Sequence, residues 1–210
     1  MVTDPISTEE NQNHTPAFLV ASAHLHHLIS IADDFVRSAE LLYKSKSGSS
    51  EYLQSFHLLV SVAFELYPKV IVGHEVCLKH LKHENNIDLT VNALRDEIVK
   101  EQKRNCHNLK SAFEANLLLM DKLGIESISR VPENPSKEWF VSEYRFKIKD
   151  HPYLLSIKDV EAVRYGSFSS NQDLAISWLG GDVILQLLLK LKEFVREMRL
   201  ETIQKMRQVI

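Results

Sequence analysis

The sequence predicts an all-α fold: an up-and-down bundle of four to six helices, with a small irregular or β-hairpin insert before the last helix. Glycine and proline, which interrupt regular structure, occur only six times each in 210 residues. Apolar residues recur at helical spacing over long stretches. A short polar segment lies between the first two of these stretches. A short connection favours antiparallel packing of the helices that it joins.

The first predicted helix begins near Pro16 and has the clearest pattern. Its apolar residues alternate steps of four and three, as in a seam that packs on another helix: Ala21, Leu25, Leu28, Ala32, Phe35, Ala39 and Leu42. Residues 1–15 are polar and are expected to form a disordered tail, so a single domain is expected over 16–210.

A second predicted helix follows a turn at 45–50 and runs from about Glu51 toward His83. Pro68 lies inside it and should kink the helix or split it near Tyr67, because proline removes one backbone hydrogen bond.

Two further helices are predicted in the middle of the chain. Asp88 or Thr90 is expected to cap a helix over 91–103, and another helix is expected over 107–123, stopped by Gly124.

The remaining segments complete the predicted bundle. The insert at 125–157 alternates partly and contains turn residues, which favours a β-hairpin or an extended excursion. A short helical segment is expected over 159–165 and a long helix over 172–207. The seam of the long helix comprises Ile184, Leu188, Leu191, Val195 and Met198.

Composition limits the classes of function. The net charge of −3 predicts no overall attraction to nucleic acid, and two cysteines without a CxxC motif are typical of a reduced, intracellular protein. The polar, acidic N-terminus does not resemble a signal peptide. The apolar stretches 58–72 and 183–191 are shorter than the roughly 20 residues of a membrane span, so a cytoplasmic location without membrane contact is expected. The sequence has no GxGxxG, P-loop, HExxH or GxSxG motif.

A polar stripe on the second helix is the first candidate site. His57, Ser61, Glu65 and Lys69 recur every four residues in an otherwise apolar stretch, a spacing that drifts by only about 40° per step around a helix. The stripe could line a cleft in which Glu65 and Lys69 orient a ligand or bind phosphate. It could equally be the solvated edge of the helix, carrying a surface ion pair.

Two other segments carry candidate binding residues. His107 stands near a predicted helix start, where a histidine can hold an anion or transfer a proton, although it could also pack locally. Arg164 and Tyr165 precede Gly166, and they offer a guanidinium fork for phosphate and a ring for stacking. Arg164 could also simply complement a helix C-terminus.

The spacing of His74, Cys77, His80 and His83 could suggest a metal site. Over this run, however, the side chains rotate by about 180° around a helix, so the four cannot converge on one ion. We therefore predict no metal and no cofactor.

Taken in order, three segments resemble the HEPN superfamily: the apolar helix 55–69 that ends in Glu-Leu-x-x-Lys, the His-x-Leu helix start at 107–114, and the Arg-Tyr segment at 161–166. A closing apolar helix follows, and the resemblance covers roughly 17–200. It implies a bundle that is usually a homodimer, binds nucleotides or RNA, and belongs to toxin–antitoxin or other defence systems. An antitoxin-like protein would then be a partner.

The resemblance implies a polar cleft lined by Glu65, Lys69, His107, Arg164 and Tyr165. Catalytic members of the superfamily are metal-independent RNases with an Arg-x(4-6)-His motif.

In this chain, the positions that should hold the histidine after Arg164 are Ser169, Ser170 and Asn171. We therefore predict a binding protein without assigned catalytic residues. Two alternatives stay open: an RNase that uses a non-standard pair of His107 and Arg164, and a structural dimerisation or interaction protein without a small-molecule site.

Overall fold

A computed structural model describes residues 15–45, 50–82, 89–106, 108–131, 143–158 and 180–209. Within these ranges the chain forms six helices and one sheet: α1 (Thr15–Ser45), α2 (Ser50–Lys82), α3 (Val91–Cys106), α4 (Leu109–Glu114), α5 (Leu117–Leu123), β1 (Ile125–Val131), β2 (Glu143–Ile148), β3 (Leu154–Lys158) and α6 (Gly181–Val209). Helices hold 80% of the described residues. The prediction of a mostly helical fold is confirmed, but the all-α class omits a three-stranded sheet.

The helices α1, α2 and α6 form the main bundle. The Tyr67 hydroxyl of α2 binds Asp33 in the middle of α1. Gly73, which follows on α2, lies against Leu25, which precedes on α1. The helices α1 and α2 are therefore antiparallel. The start of α6 lies beside the end of α1, where Gly181 contacts the Tyr43 ring. The helix α6 therefore also runs antiparallel to α1.

The predicted seams of α1 and α6 face this core. Seven seam residues are less than 5% exposed, and Ala21 is 7% exposed: Leu25, Ala32, Ala39, Ile184, Leu188, Leu191, Val195 and Ala21. The other four, Leu28, Phe35, Leu42 and Met198, are partly buried. The seams thus serve packing within the chain.

The helix α2 is the central element and contacts α1, α3, α4, β3 and α6. It continues through the buried Pro68, so of the two predicted effects of this proline the split near Tyr67 is wrong, and the kink stays a prediction. Packing on several sides outweighs the single backbone hydrogen bond that proline removes. The segment Gln54–Lys82 is long and apolar enough to cross a membrane, but 67% of its apolar window is buried inside the protein, as in the core helix of a bundle.

The helices α3, α4 and α5 correct one prediction and confirm two others. Thr90 caps α3, since its Oγ1 accepts a hydrogen bond from the Ala93 backbone N–H at 3.2 Å. The single helix expected over 107–123 is instead two short helices, because Asn116 adopts a non-helical conformation and caps α5. Gly124 ends α5 with a φ of 69°, the left-handed conformation that favours glycine.

The insert contains an antiparallel sheet in the order β1-β2-β3. The predicted hairpin corresponds to β2 and β3, and β1 is an additional strand. In β2, Tyr144, Phe146 and Ile148 are buried and alternate with exposed residues. The Phe146 ring lies 5.8 Å from Phe64 of α2 and 5.7 Å from Phe113 of α4, so one face of the sheet closes the core.

Several predictions lie outside the described residues. They are the tail as far as residue 14, the helical segment over 159–165 and the first part of the helix expected over 172–207.

Candidate functional site

The Glu65–Lys69 pair lies where the polar stripe of α2 approaches the protein surface. The Lys69 Nζ is 2.6 Å from the Glu65 Oε1, and the two side chains are 22% and 30% exposed, respectively. Earlier on the stripe, His57 and Ser61 are 0% and 1% exposed. The stripe therefore enters the core at one end, and at the other it presents a partly exposed ion pair. It is neither a fully solvated edge nor a fully buried one.

The turn of α2 that carries this ion pair contacts α3 one turn before the end of that helix, close to its junction with α4. The Gln102 Nε2 donates a hydrogen bond to the Lys69 carbonyl oxygen at 2.9 Å. On the other side of the junction, Asn108 caps α4 by accepting a bond from the Lys110 backbone N–H at 3.0 Å. The Phe113 ring of α4 lies 6.2 Å from the ring of Phe64. The segments on both sides of the junction thus converge on one region of α2.

The structure brings together two of the five predicted site residues, Glu65 and Lys69. His107, Arg164 and Tyr165 lie outside the described residues. The two α2 residues are therefore described, and the cleft itself stays a prediction.

A second polar cluster, which the sequence analysis did not identify, joins α1, α2 and α6. Asp33 Oδ1 accepts a hydrogen bond from the Tyr67 hydroxyl at 2.7 Å. Its Oδ2 lies 2.8 Å from the Lys192 Nζ and 3.3 Å from the Arg196 Nη2. The Asp33 side chain is only 17% exposed and Tyr67 is fully buried. We call these four residues the Asp33 cluster.

The electrostatics of the Asp33 cluster favour the charged form of the carboxylate at neutral pH. Burial by itself raises the pKa of Asp33, but hydrogen bonds from Lys192 and Tyr67 and the positive charges of Lys192 and Arg196 outweigh burial and hold the pKa below its usual value. Burial and the bond to Asp33 raise the pKa of Tyr67, which therefore remains a hydrogen-bond donor at neutral pH. The Asp33 carboxylate thus binds side chains from both α2 and α6, which indicates a role in holding the three helices together.

The histidines of α2 contact different neighbours. The His74 Nδ1 lies 3.1 Å from the Thr202 Oγ1 of α6, whereas the His80 Nε2 lies 2.7 Å from the Glu97 Oε2 of α3. Cys77 is buried, and burial raises the pKa of its thiol to about 12. Among the described residues, no group of three or more His, Cys, Asp or Glu side chains could hold a metal ion.

A half-open cavity of about 470 Å³ lies between the end of α1 and the start of α6. Its apolar wall comprises Val36, Leu185 and Leu189, and its polar rim includes Tyr43 and Asp182. Burial and a hydrogen bond to Asp182 raise the pKa of Tyr43. Tyr43 and Asp182 at the rim thus bind each other.

Comparisons with protein-family models, with curated proteins and with solved structures gave no match. By its architecture the chain is a helical bundle with an inserted three-stranded sheet. Its function must therefore be argued from its own residues and from the HEPN resemblance, which stays a prediction.

Proposed function

We propose that this chain is a HEPN-like helical protein that binds a phosphate-bearing ligand, either a nucleotide or RNA, at the Glu65–Lys69 edge of α2. One observation carries the proposal. An ion pair in the mostly buried apolar stretch of the central helix is partly exposed, and it lies on the turn of α2 that Gln102 of α3 contacts just before the α3–α4 junction. The HEPN resemblance places its His-x-Leu segment at that junction.

The chemistry of the pair suits phosphate recognition. A lysine ammonium has three hydrogens to donate, and Glu65 accepts one of them at 2.6 Å. The carboxylate holds the ammonium in place, so that its other donors can meet phosphate oxygens. Because the whole chain carries a net charge of −3, binding would depend on this local arrangement rather than on a general positive field.

In this proposal, three residues outside the described ranges complete the cleft. His107 supplies a donor beside the phosphate, Arg164 supplies a planar fork for two phosphate oxygens, and Tyr165 supplies a ring on which a base can stack. The resemblance also suggests a defence or toxin–antitoxin setting, with an antitoxin-like protein as a partner.

The test compares two lysines that share the same local geometry. Lys69→Ala removes the candidate ligand, whereas Lys44→Ala removes the lysine of an exposed i,i+4 pair with Glu40, whose Nζ–Oε1 distance is 2.7 Å. We expect Lys69→Ala and Arg164→Ala each to weaken binding of a fluorescent RNA oligonucleotide or nucleotide by about tenfold or more, since a charge-assisted hydrogen bond contributes ~1.5–3 kcal/mol. Lys44→Ala should bind like the wild type.

A stability control separates lost binding from lost folding. The exposed pair of Lys44 contributes less than ~1 kcal/mol, so Lys44→Ala should unfold close to the wild type in urea. The pair of Lys69 is partly buried, so binding by Lys69→Ala is measured only where circular dichroism shows that the variant is folded.

Two outcomes would contradict the proposal. If the wild type binds neither RNA nor nucleotide, the interaction-protein alternative is favoured. If the wild type cleaves RNA in EDTA and both His107→Ala and Arg164→Ala abolish cleavage, the RNase alternative replaces the binding protein.

A further inference from the structure

The hydrogen bonds of His74 fix which of its ring nitrogens carries a hydrogen. Its Nδ1 lies 3.1 Å from the Thr202 Oγ1. That hydroxyl donates its single hydrogen to the Met198 carbonyl oxygen at 2.9 Å, so towards His74 it can only accept. The His74 Nδ1 must therefore be the donor, and in the neutral ring Nε2 carries the lone pair.

The surroundings of the His74 Nε2 disfavour its protonation, which would give the ring a positive charge. His74 is 1% exposed, and its Nε2 has no hydrogen-bond partner among the described residues. Arg199 of α6 brings a positive charge close to the ring. Burial, and after it the charge of Arg199, lowers the pKa of His74 to about 4.

The carboxylates of neighbouring elements are engaged elsewhere. Glu97 of α3 binds His80 and Lys79, and Glu75 of α2 accepts a hydrogen bond from Asn116 at the α4–α5 junction. From α1, Leu25 faces this part of α2, against Gly73.

Other titratable groups near this turn do not offset a charge on the ring. Cys77 is a buried thiol that stays protonated at neutral pH, because its pKa is raised to about 12. The three histidines of α1 at this level, His24, His26 and His27, are exposed to solvent. On α6, Glu201 beside Thr202 binds Lys205 at 2.7 Å. Among the described residues, therefore, the charge that acts on the ring is the positive charge of Arg199.

We propose that His74 is an acid-sensitive latch between α2 and α6: the neutral ring holds the two helices together through Thr202, and protonation of Nε2 loosens this contact. A charged ring would present a buried N–H beside a guanidinium group, and no side chain or backbone group of the described residues accepts a hydrogen bond there. The segment released first would be the part of α6 that follows Met198, where Thr202 accepts the His74 hydrogen bond.

The sign of the pH effect follows from the lowered pKa. Between about pH 4 and the ordinary histidine value of 6.5, the unfolded chain binds a proton at this position and the folded chain does not. The stabilising contribution of the neutral ring is therefore complete above pH 6.5 and is lost as the pH falls towards 4. Between pH 7 and pH 5, this single group should lower the folding equilibrium constant on the order of 20-fold.

The main test measures urea unfolding at pH 7 and pH 5 for the wild type, His74→Asn and His24→Asn. Asparagine can keep a donor near the position of Nδ1 but does not titrate. In His74→Asn, we expect the folding equilibrium constant to lack the roughly 20-fold decrease between pH 7 and pH 5 that we assign to His74. His24 is exposed on α1, so His24→Asn should behave like the wild type. An unchanged pH dependence in His74→Asn would refute the latch.

A second measurement uses the wild type alone and therefore does not depend on the folding of a variant. Nitrogen NMR of the His74 ring at pH 7 should show a hydrogen on Nδ1, and the ring should stay neutral below pH 5. Hydrogen exchange of the α6 amides after Met198, corrected for the intrinsic effect of pH, should increase on acidification. A hydrogen on Nε2, or a ring that becomes protonated near pH 6.5, would overturn the proposal.

Discussion

Asp33→Asn tests whether the Asp33 cluster holds the bundle together. The substitution keeps an oxygen that can accept the Tyr67 hydrogen bond, but it removes the negative charge. Lys192, which is only 19% exposed, then keeps its positive charge without its partner, 2.8 Å away in the native protein. The variant thus isolates the electrostatic part of the contact between α1 and α6.

The expected cost follows from burial. Separating a fully buried ion pair costs ~3–5 kcal/mol, and an exposed pair contributes less than ~1 kcal/mol. The Asp33–Lys192 pair lies between these limits but closer to the buried one, since both side chains are less than one-fifth exposed. The bond to Arg196 adds little, because that side chain is 57% exposed. We expect Asp33→Asn to lower the free energy of unfolding by about 2–3 kcal/mol.

Urea unfolding followed by circular dichroism would measure this difference, with Asp34→Asn as the matched control. Asp34 is the next residue on α1 and is exposed, so its substitution should change the free energy of unfolding by no more than ~0.5 kcal/mol. Equal effects of the two substitutions would refute the reasoning.

A pH series adds a second check on the same variant. Because the pKa of Asp33 lies below the value of 3.8 for an unperturbed carboxyl, its stabilising charge is present at neutral pH and is lost as the pH falls below about 4. The difference in the free energy of unfolding between the wild type and Asp33→Asn should therefore become smaller near pH 3. A difference that does not change with pH would mean that the charge of Asp33 does not contribute to the stability of the fold.

Two further predictions concern packing and assembly. A Cβ at Gly181 would lie 2.3 Å from the Tyr43 ring, so Gly181→Ala should lower the free energy of unfolding by about 1–3 kcal/mol in a urea titration, and an unchanged value would contradict the tight contact. We also expect a homodimer by sedimentation at high micromolar protein, and a monomer would rule it out. Because the described seam residues pack within the chain, we expect the interface to use other apolar positions, such as Leu41 and Leu200, which are 65% and 60% exposed.

The features predicted from sequence depend on short-range pattern. The seam of α1 could be identified because each buried residue lies three or four positions from the next. Thr90 and Gly124 could be identified because a cap or a left-handed turn selects particular residue types at a helix end.

The features that were missed depend on contacts distant in sequence. Asn116 interrupts the helix expected over 107–123 while it also donates a hydrogen bond to Glu75 of α2 at 2.8 Å. The carboxylate of Asp33 is matched by Lys192 of the last helix, and no local pattern connects the two. For the candidate site, the sequence predicted the Glu65–Lys69 pair because both residues lie on one helical face. It could not predict that Gln102 would lie beside them.

The return of α6 to lie beside α1 has a consequence for the order of folding. The contacts between α1 and α2, and those among the three strands, join segments that are near neighbours in the chain and can form early. The helix α6 covers α1 and α2 only after residues 83–180 have been made, at a greater entropic cost of loop closure. During synthesis, the apolar faces of α1 and α2 that α6 covers would stay exposed until this last helix is made. The pair of α1 and α2 is therefore the intermediate that is most prone to aggregation.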